Sequence, residues 1–233
     1  MKSFKHRTTE PLQLKSSQPI GVGGHRNCYI HPGHPELCVK VLHEPWRQIN
    51  RRLNDPFRHV RRRRHYDENR GEYHELKKLQ RKLGTSMAEH FPRVHGLVRT
   101  DLGEGLVVDR ILDPDGQTSI TVKNYIWLHG LDDACLRALE RFWSFLIRHR
   151  VMVRDPKPHN LVVQKTGEGQ LRVVMIDGFG SSDLFPFRSW VGSLAEKKIA
   201  ARRDRMQRKI DRELQSRETG KLSNRKGMPP SKT

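Results

Sequence analysis

The sequence predicts an α+β chain with a strand-rich first half, a helical second half and a basic helix toward the C-terminus. Three observations predict it. Short apolar runs between Pro- and Gly-containing turns fill residues 12–42, the pattern of an antiparallel meander. Apolar residues at helical spacing begin after Asp132 or Asp133 and run to about Arg148. A third stretch, from Leu194 to about Leu214, sets sparse apolar residues among lysines and arginines.

The elements follow in chain order. Residues 1–15 read as a flexible polar arm, with the folded part beginning near Leu12. Strands are expected at Asn27–His31 and Leu37–Leu42, on either side of a Pro/Gly turn at residues 31–35. Residues 43–70 form a basic insert that includes the run Arg61–Arg64. Leu76, Leu79 and Leu83 fall at i, i+3 and i+7 and predict a helix over residues 72–83. Two more strands are expected at residues 93–100 and 105–111. Asp113-Pro114-Asp115-Gly116 is a turn, because proline presets φ and glycine accepts a positive one. The strong helix then offers Leu136, Leu139, Trp143, Leu146 and Ile147 as its buried face, with Cys135 and Phe142 beside them. A hairpin of residues 161–163 and 173–176 follows, then the basic helix, and residues 216–233 read as a disordered basic tail.

Composition narrows the function. The chain has 233 residues, a hydrophobic fraction of 34% and a net charge of +19, so polyanions attract it. No run of about 18 apolar residues exists, which excludes a membrane-spanning helix, and no signal-peptide core follows the basic start. Cys28, Cys38 and Cys135 form neither a CxxC pair nor a disulfide framework; they suit a reducing cytoplasm. Gly-x-Ser-x-Gly, HExxH and the Walker A pattern are all absent.

The informative segment is Arg154-Asp155-Pro156-Lys157-Pro158-His159-Asn160, followed by Ile176-Asp177-Gly178-Phe179. Phosphoryl transfer needs a carboxylate to orient the attacking hydroxyl, and Asp155 is that candidate. Lys157 can neutralise charge on the moving group. Asn160 and Asp177 supply the hard oxygens that Mg²⁺ prefers. Gly21, Gly23 and Gly24 make a turn between strands whose N–H groups could cover phosphates, or an ordinary hairpin. Lys40 lies in the apolar run Cys38-Val39-Lys40-Val41, where an ammonium needs a partner unless the strand is an edge strand. Glu75 or Glu72 could supply it. Glu75 is preferred because it directly precedes Leu76 on the face expected to turn inward.

Taken in order, these motifs resemble the protein-kinase-like fold. The closer resemblance is to the small bacterial YrbL family, described as part of the PhoP regulatory network. Residues 24–32, Cys38-Val39-Lys40, residues 113–121 and Lys157-Pro158-His159-Asn160 carry that likeness, which covers about residues 12–215. It implies a bilobal fold with an ATP cleft, an N-lobe over about 12–110 and a shortened C-lobe over about 111–215. It also implies ATP and Mg²⁺ as cofactors, and a hinge at Asp109 to Ile111 beside adenine. The chain departs from the kinase pattern in three ways. Val153 stands where histidine is usual, Asp-Gly-Phe replaces Asp-Phe-Gly, and no Ala-Pro-Glu motif follows. The last departure removes the usual peptide platform. The unknown hydroxyl acceptor is therefore expected to be a small molecule or a lipopolysaccharide core rather than a peptide. Two other readings stand beside phosphotransfer. One is a nucleotide-binding pseudokinase acting as a regulatory partner. The other is a basic binder of nucleic acid or an anionic surface through Arg61–Arg64 and the tail.

Overall fold

The computed structural model describes residues 10–44, 52–56, 67–167, 169–179 and 192–220. They divide into two units. One runs to Lys82 and resumes at Arg93–Arg110; the other comprises Leu83–Pro92 and the chain from Ile111 onward. The class is α+β, with a first sheet-based unit and a mainly helical second unit. The arginine run Arg61–Arg64 lies outside the described residues.

The first unit is built on five antiparallel strands: β1 (Gly21–Val22), β2 (Arg26–His31), β3 (His34–Leu42), β4 (Val94–Thr100) and β5 (Gly103–Asp109). Their order across the sheet is β1-β2-β3-β5-β4. Strand β3 starts earlier than expected. His34 and Pro35 belong to it, and the turn shrinks to Pro32–Gly33, where the Gly33 N–H is held by His31 Nδ1 at 3.1 Å. Central position buries β3 on both faces, so Leu37 to Val41 read as a continuous buried run. One face sends Leu37, Val39 and Val41 into a core with Leu14, Tyr29, Val98 and Val107. The opposite face carries Cys38 and Lys40, since side chains alternate along a strand.

The chain is tied down from Leu12 onward. Leu14 is fully buried, and Leu12 donates its N–H to Arg99 O at 2.9 Å while accepting from Asp101 N at 2.9 Å. The Asp101 carboxylate takes the N–H groups of Leu14 and Lys15 at 2.8 and 3.1 Å. A buried leucine anchors this segment even though its neighbours are polar.

Helix α1 (Glu68–Leu83) starts four residues earlier than predicted, because Asp67 caps it by accepting from Arg70 N at 3.0 Å. Its buried positions Asn69, Glu72, Leu76 and Leu83 form one stripe.

The second unit contains a short helix α2 (Met87–His90), strand β6 (Ile120–Thr121), α3 (Val122–His129), α4 (Asp133–Arg148), the hairpin β7 (Leu161–Gly167) and β8 (Gln170–Met175), and α5 (Gly192–Glu218). Helix α3 is not visible as an amphipathic pattern, because most of it is buried; Thr121 caps it by accepting from Asn124 N at 3.1 Å. Asp132 caps α4, accepting from Cys135 N at 2.7 Å. The buried face of α4 is Cys135, Ala138, Leu139, Phe142, Trp143, Phe145 and Leu146. Leu136 and Ile147, expected inside, are exposed: the inward stripe follows Cys135 and Phe142 instead. Helix α4 packs on β8 and on α5.

Helix α5 is longer than expected at both ends. It runs through Glu218, and Arg217 Nε donates to Trp127 O at 3.0 Å, so residues 216–218 are ordered helix rather than tail. Its sparse apolar residues Ala195, Ile199, Met206 and Ile210 are all buried. That stripe docks the helix on its own unit. No helix among the described residues is long and apolar enough to cross a membrane.

Candidate active site

In the first unit the costly residue is Lys40, which is only 8% exposed. Its Nζ donates to Glu72 Oε1 at 2.6 Å, and Arg26 Nη2 meets Glu72 Oε2 at 2.6 Å. One carboxylate thus compensates two cations, and its own side chain is almost wholly buried. Asn69, one helical turn earlier, donates through Nδ2 to Lys40 O at 3.1 Å and Glu104 O at 3.0 Å. These bonds pin α1 to β3 beside the ion pair. The expectation that Glu75 pairs with Lys40 is therefore corrected. Glu75 instead meets Lys78 at 2.8 Å on the outer flank of the helix. The stripe Asn69, Glu72, Leu76 at i, i+3, i+7 signals the inward face; the leucine pair Leu76 and Leu79 misleads, because Leu79 is only half-buried.

The glycine turn closes tightly. Gly21 pairs with Cys28, and the Gly23 N–H donates to Arg26 O at 2.8 Å. A Cβ on Gly23 would sit 3.1 Å from that carbonyl, so the turn itself favours glycine there. Gly24 lies in the bend that follows.

The side chain of Asp109 is taken up by partners within its own unit. Its carboxylate accepts from His95 Nε2 at 2.7 Å and from Arg93 Nε at 2.8 Å, and its N–H donates to Arg93 O at 3.0 Å. Burial alone would raise its pKa, but these donors outweigh burial and hold it below the usual aspartate range. The side chain fastens the end of β5 to β4. Ile111 starts the second unit, where its carbonyl accepts from Ser119 N at 2.9 Å.

The second unit brings Asp155, Lys157, Asn160 and Gly178 together in one loop. Asp155 Oδ2 meets Lys157 Nζ at 2.5 Å. The Arg154 and Asp155 N–H groups donate to Gly178 O at 3.1 and 3.2 Å. Asn160 Nδ2 donates to Asp155 O at 2.8 Å, which fixes the amide and reserves Oδ1 as its acceptor. Ile176 N in turn donates to Asn160 O at 2.9 Å, so the loop is stitched to the residue before Asp177. Asp177 Oδ1 accepts from Gly178 N at 2.7 Å.

This packing explains why glycine directly follows the acid. Gly178 has φ +80°, and a Cβ there would lie 2.7 Å from Asp155 O and 3.1 Å from Asn160 Nδ2. No side chain fits, so the phenylalanine is displaced by one position. Phe179 is buried against Phe91, with ring centroids 6.2 Å apart. Val153, where histidine was usual in the resemblance, is buried.

The sequence reading missed α5's contribution. Lys209 Nζ stands 3.9 Å from Asp155 Oδ1, the oxygen not taken by Lys157. Burial lowers its pKa, and the nearby cations Lys157, Arg212 and Arg205 do the same, against the raising effect of Asp155. Lys123, fully buried on α3, has Glu213 of α5 3.8 Å away, and its N–H donates to Pro158 O at 3.0 Å. His159 is held below the usual histidine range by burial first and by Lys157 second.

Among the described residues, no group of three or more His, Cys, Asp or Glu side chains could hold a metal. Mg²⁺ does not require one. It accepts one or two protein oxygens, completing its shell with water and phosphate. The Asn160 amide, oriented by its own hydrogen bond, and the Asp177 carboxylate fit that donor set. A cavity of about 460 Å³ among the described residues lies elsewhere, lined by Glu89, His90, Arg137, Arg141 and Arg148.

The family model described as PhoP regulatory network protein YrbL matches residues 12–211. YrbL of Escherichia coli (strain K12) is 30% identical over 182 residues, which cover 77% of this chain and 78% of that protein. YrbL of Shigella flexneri matches at the same identity and coverage. Among solved structures, the Mycobacterium tuberculosis PknI kinase domain is 17% identical, with a TM-score of 0.45 over 81% of this chain and 71% of that one. Rad53 1-466 in complex with AMP-PNP is 10% identical at a TM-score of 0.40; it aligns with 69% of this chain, which spans only 37% of that protein. The family match runs through both units and includes every candidate residue from Gly21 to Asp177, so the chain belongs to the family of PhoP regulatory network protein YrbL.

Proposed function

We propose that this protein is a phosphotransferase that moves the γ-phosphoryl group of ATP, as its Mg²⁺ complex, to a hydroxyl group. The carrying observation is the loop in which Asp155 lies 2.5 Å from Lys157 while Asn160 and Gly178 fasten its backbone. Such a reaction asks little covalent chemistry of the protein; it asks for held geometry and placed charge. Asp155 accepts a hydrogen bond from the acceptor hydroxyl and then its proton. Lys157 offsets charge on the moving group. Asn160 and Asp177 would hold Mg²⁺, whose charge would offset that of the phosphate groups. Lys40, aimed by Glu72, contacts nucleotide phosphates, and Gly21, Gly23 and Gly24 line the turn beside them. The backbone from Asp109 to Ile111 takes the adenine. The acceptor is a small molecule or a lipopolysaccharide core rather than a peptide, and the setting is envelope-stress regulation in the cytoplasm.

The test is transfer of labelled γ-phosphate from ATP with Mg²⁺ to a panel of hydroxyl compounds. Wild type transfers label; Asp155→Asn loses transfer by about two orders of magnitude or more while nucleotide binding persists. Equal transfer by Asp155→Asn would overturn the assignment.

A further inference from the structure

Asp155 is approached by two lysines on its two oxygens. Lys157, from the loop, takes Oδ2 at 2.5 Å; Lys209, from α5, stands 3.9 Å from Oδ1. Lys209 is not an isolated surface charge. Lys198, Arg202, Arg205, Lys209 and Arg212 recur at spacings of three and four along α5 and so share one side of the helix. That side adjoins the buried stripe of Ala195, Ile199, Met206 and Ile210, which fixes its position on the unit. Arg205 and Arg212 lie close enough to Lys209 to act on its charge. The side chain of Lys209 is only 38% exposed, and burial disfavours its cation. Two lysines from different elements thus face this one carboxylate.

Lys157 already serves the transferred group. A second lysine on the other oxygen serves whatever presents its hydroxyl to Asp155. We infer that the acceptor is a hydroxyl compound that already bears a phosphate group, and that Lys209 of α5 is the specificity-determining residue that binds it. This rests on the phosphotransfer reading for the hydroxyl, whereas the anion site itself stands on the geometry of α5 and the loop. A phosphate dianion suits the place, because ammonium groups bind phosphate as point charges and their hydrogen bonds are charge-assisted.

The probes are matched pairs: glycerol and glycerol 3-phosphate, glucose and glucose 6-phosphate. Binding is measured by calorimetry without nucleotide, and labelled transfer with Mg-ATP. Wild type binds the phosphorylated members and transfers label to at least one of them, in preference to its neutral partner. Lys209→Ala weakens that binding and raises KM for the phosphorylated acceptor about ten- to a hundredfold, the scale of one charge-assisted contact. Lys209→Arg restores most of it, and KM for ATP stays unchanged in both variants. Indifference of wild type to the phosphate group, or of binding to Lys209→Ala, overturns the inference. Lys209-dependent binding with no transfer to any probe leaves the anion site standing and counts against the phosphotransfer reading. The two failures are thereby distinguished.

Discussion

At the scale of single residues, the first unit rests on a carboxylate shared by two cations. Glu72 is buried with Lys40 and Arg26, so removing it strands two charges out of water. Glu72→Ala is expected to destabilise the protein by about 3–5 kcal/mol, whereas Glu75→Ala on the outer flank changes stability by about 0.5 kcal/mol or less. Urea unfolding of the two variants checks this, and similar losses would contradict the corrected pairing. Lys40 itself was legible, because a lysine in an apolar strand has few reasons to be there. Its partner was not: two glutamates three residues apart compete, and only the register of Asn69 against Lys40 O decides between them. Asp155, Lys157 and Asn160 were legible for a similar reason, since their spacing lies within one loop and needs no long-range packing to be read. Lys209 was invisible beside them, because it lies 54 positions after Asp155 and only the docking of α5 brings it near. His90 gives a residue-level dependence on pH. It donates to Val173 O at 2.7 Å between Phe142 and Phe145, and burial holds it below the usual histidine range. The unfolded chain therefore takes up the proton first as pH falls. The stability His90 contributes is complete above about pH 6.5 and is lost as pH falls toward its lower folded value. The urea midpoint of wild type should drop between pH 7 and pH 5, and His90→Phe should drop less.

At the scale of elements, the catalytic-looking loop and the Asp177-Gly178 turn behave as one piece. Gly178 combines a positive φ with a space that no Cβ can enter. Gly178→Ala must push apart Asp155 O and the Asn160 amide. The expected cost is about 1–3 kcal/mol of stability, with transfer reduced well beyond what that loss explains. Unfolding and turnover measured on the same preparation separate the two effects. The elements themselves were unevenly legible. Helix α4 announced itself through a cap and a periodic face, though its inward stripe follows Cys135 and Phe142 rather than Leu136 and Ile147. Helix α3 left no pattern, since Val122 to Ile126 are buried almost all round and periodicity needs a wet side. Helix α5 was seen as basic and sparse in apolar residues. Four buried side chains at the right spacing suffice to dock it, and Arg217 extends the contact to Trp127 O.

At the scale of the whole molecule, the order of elements agrees with the resemblance: a five-stranded antiparallel sheet with its lysine and helix, then helices, then a hairpin carrying the acid, amide and second acid. The departures are local and have physical causes, with Val153 buried and Phe179 moved past a glycine that the loop requires. The charge of +19 makes anion affinity expected in general, so a specific nucleotide site must show itself through its metal. The most direct measurement is the melting temperature with ATP and Mg²⁺, with ATP and EDTA, and in Asp177→Ala. At ligand near a hundred times Kd, binding should add about 2.7 kcal/mol, a rise of about 5 °C or more. The account predicts that the rise needs Mg²⁺ and disappears in Asp177→Ala. A rise of equal size with EDTA, or one that survives Asp177→Ala, would contradict it.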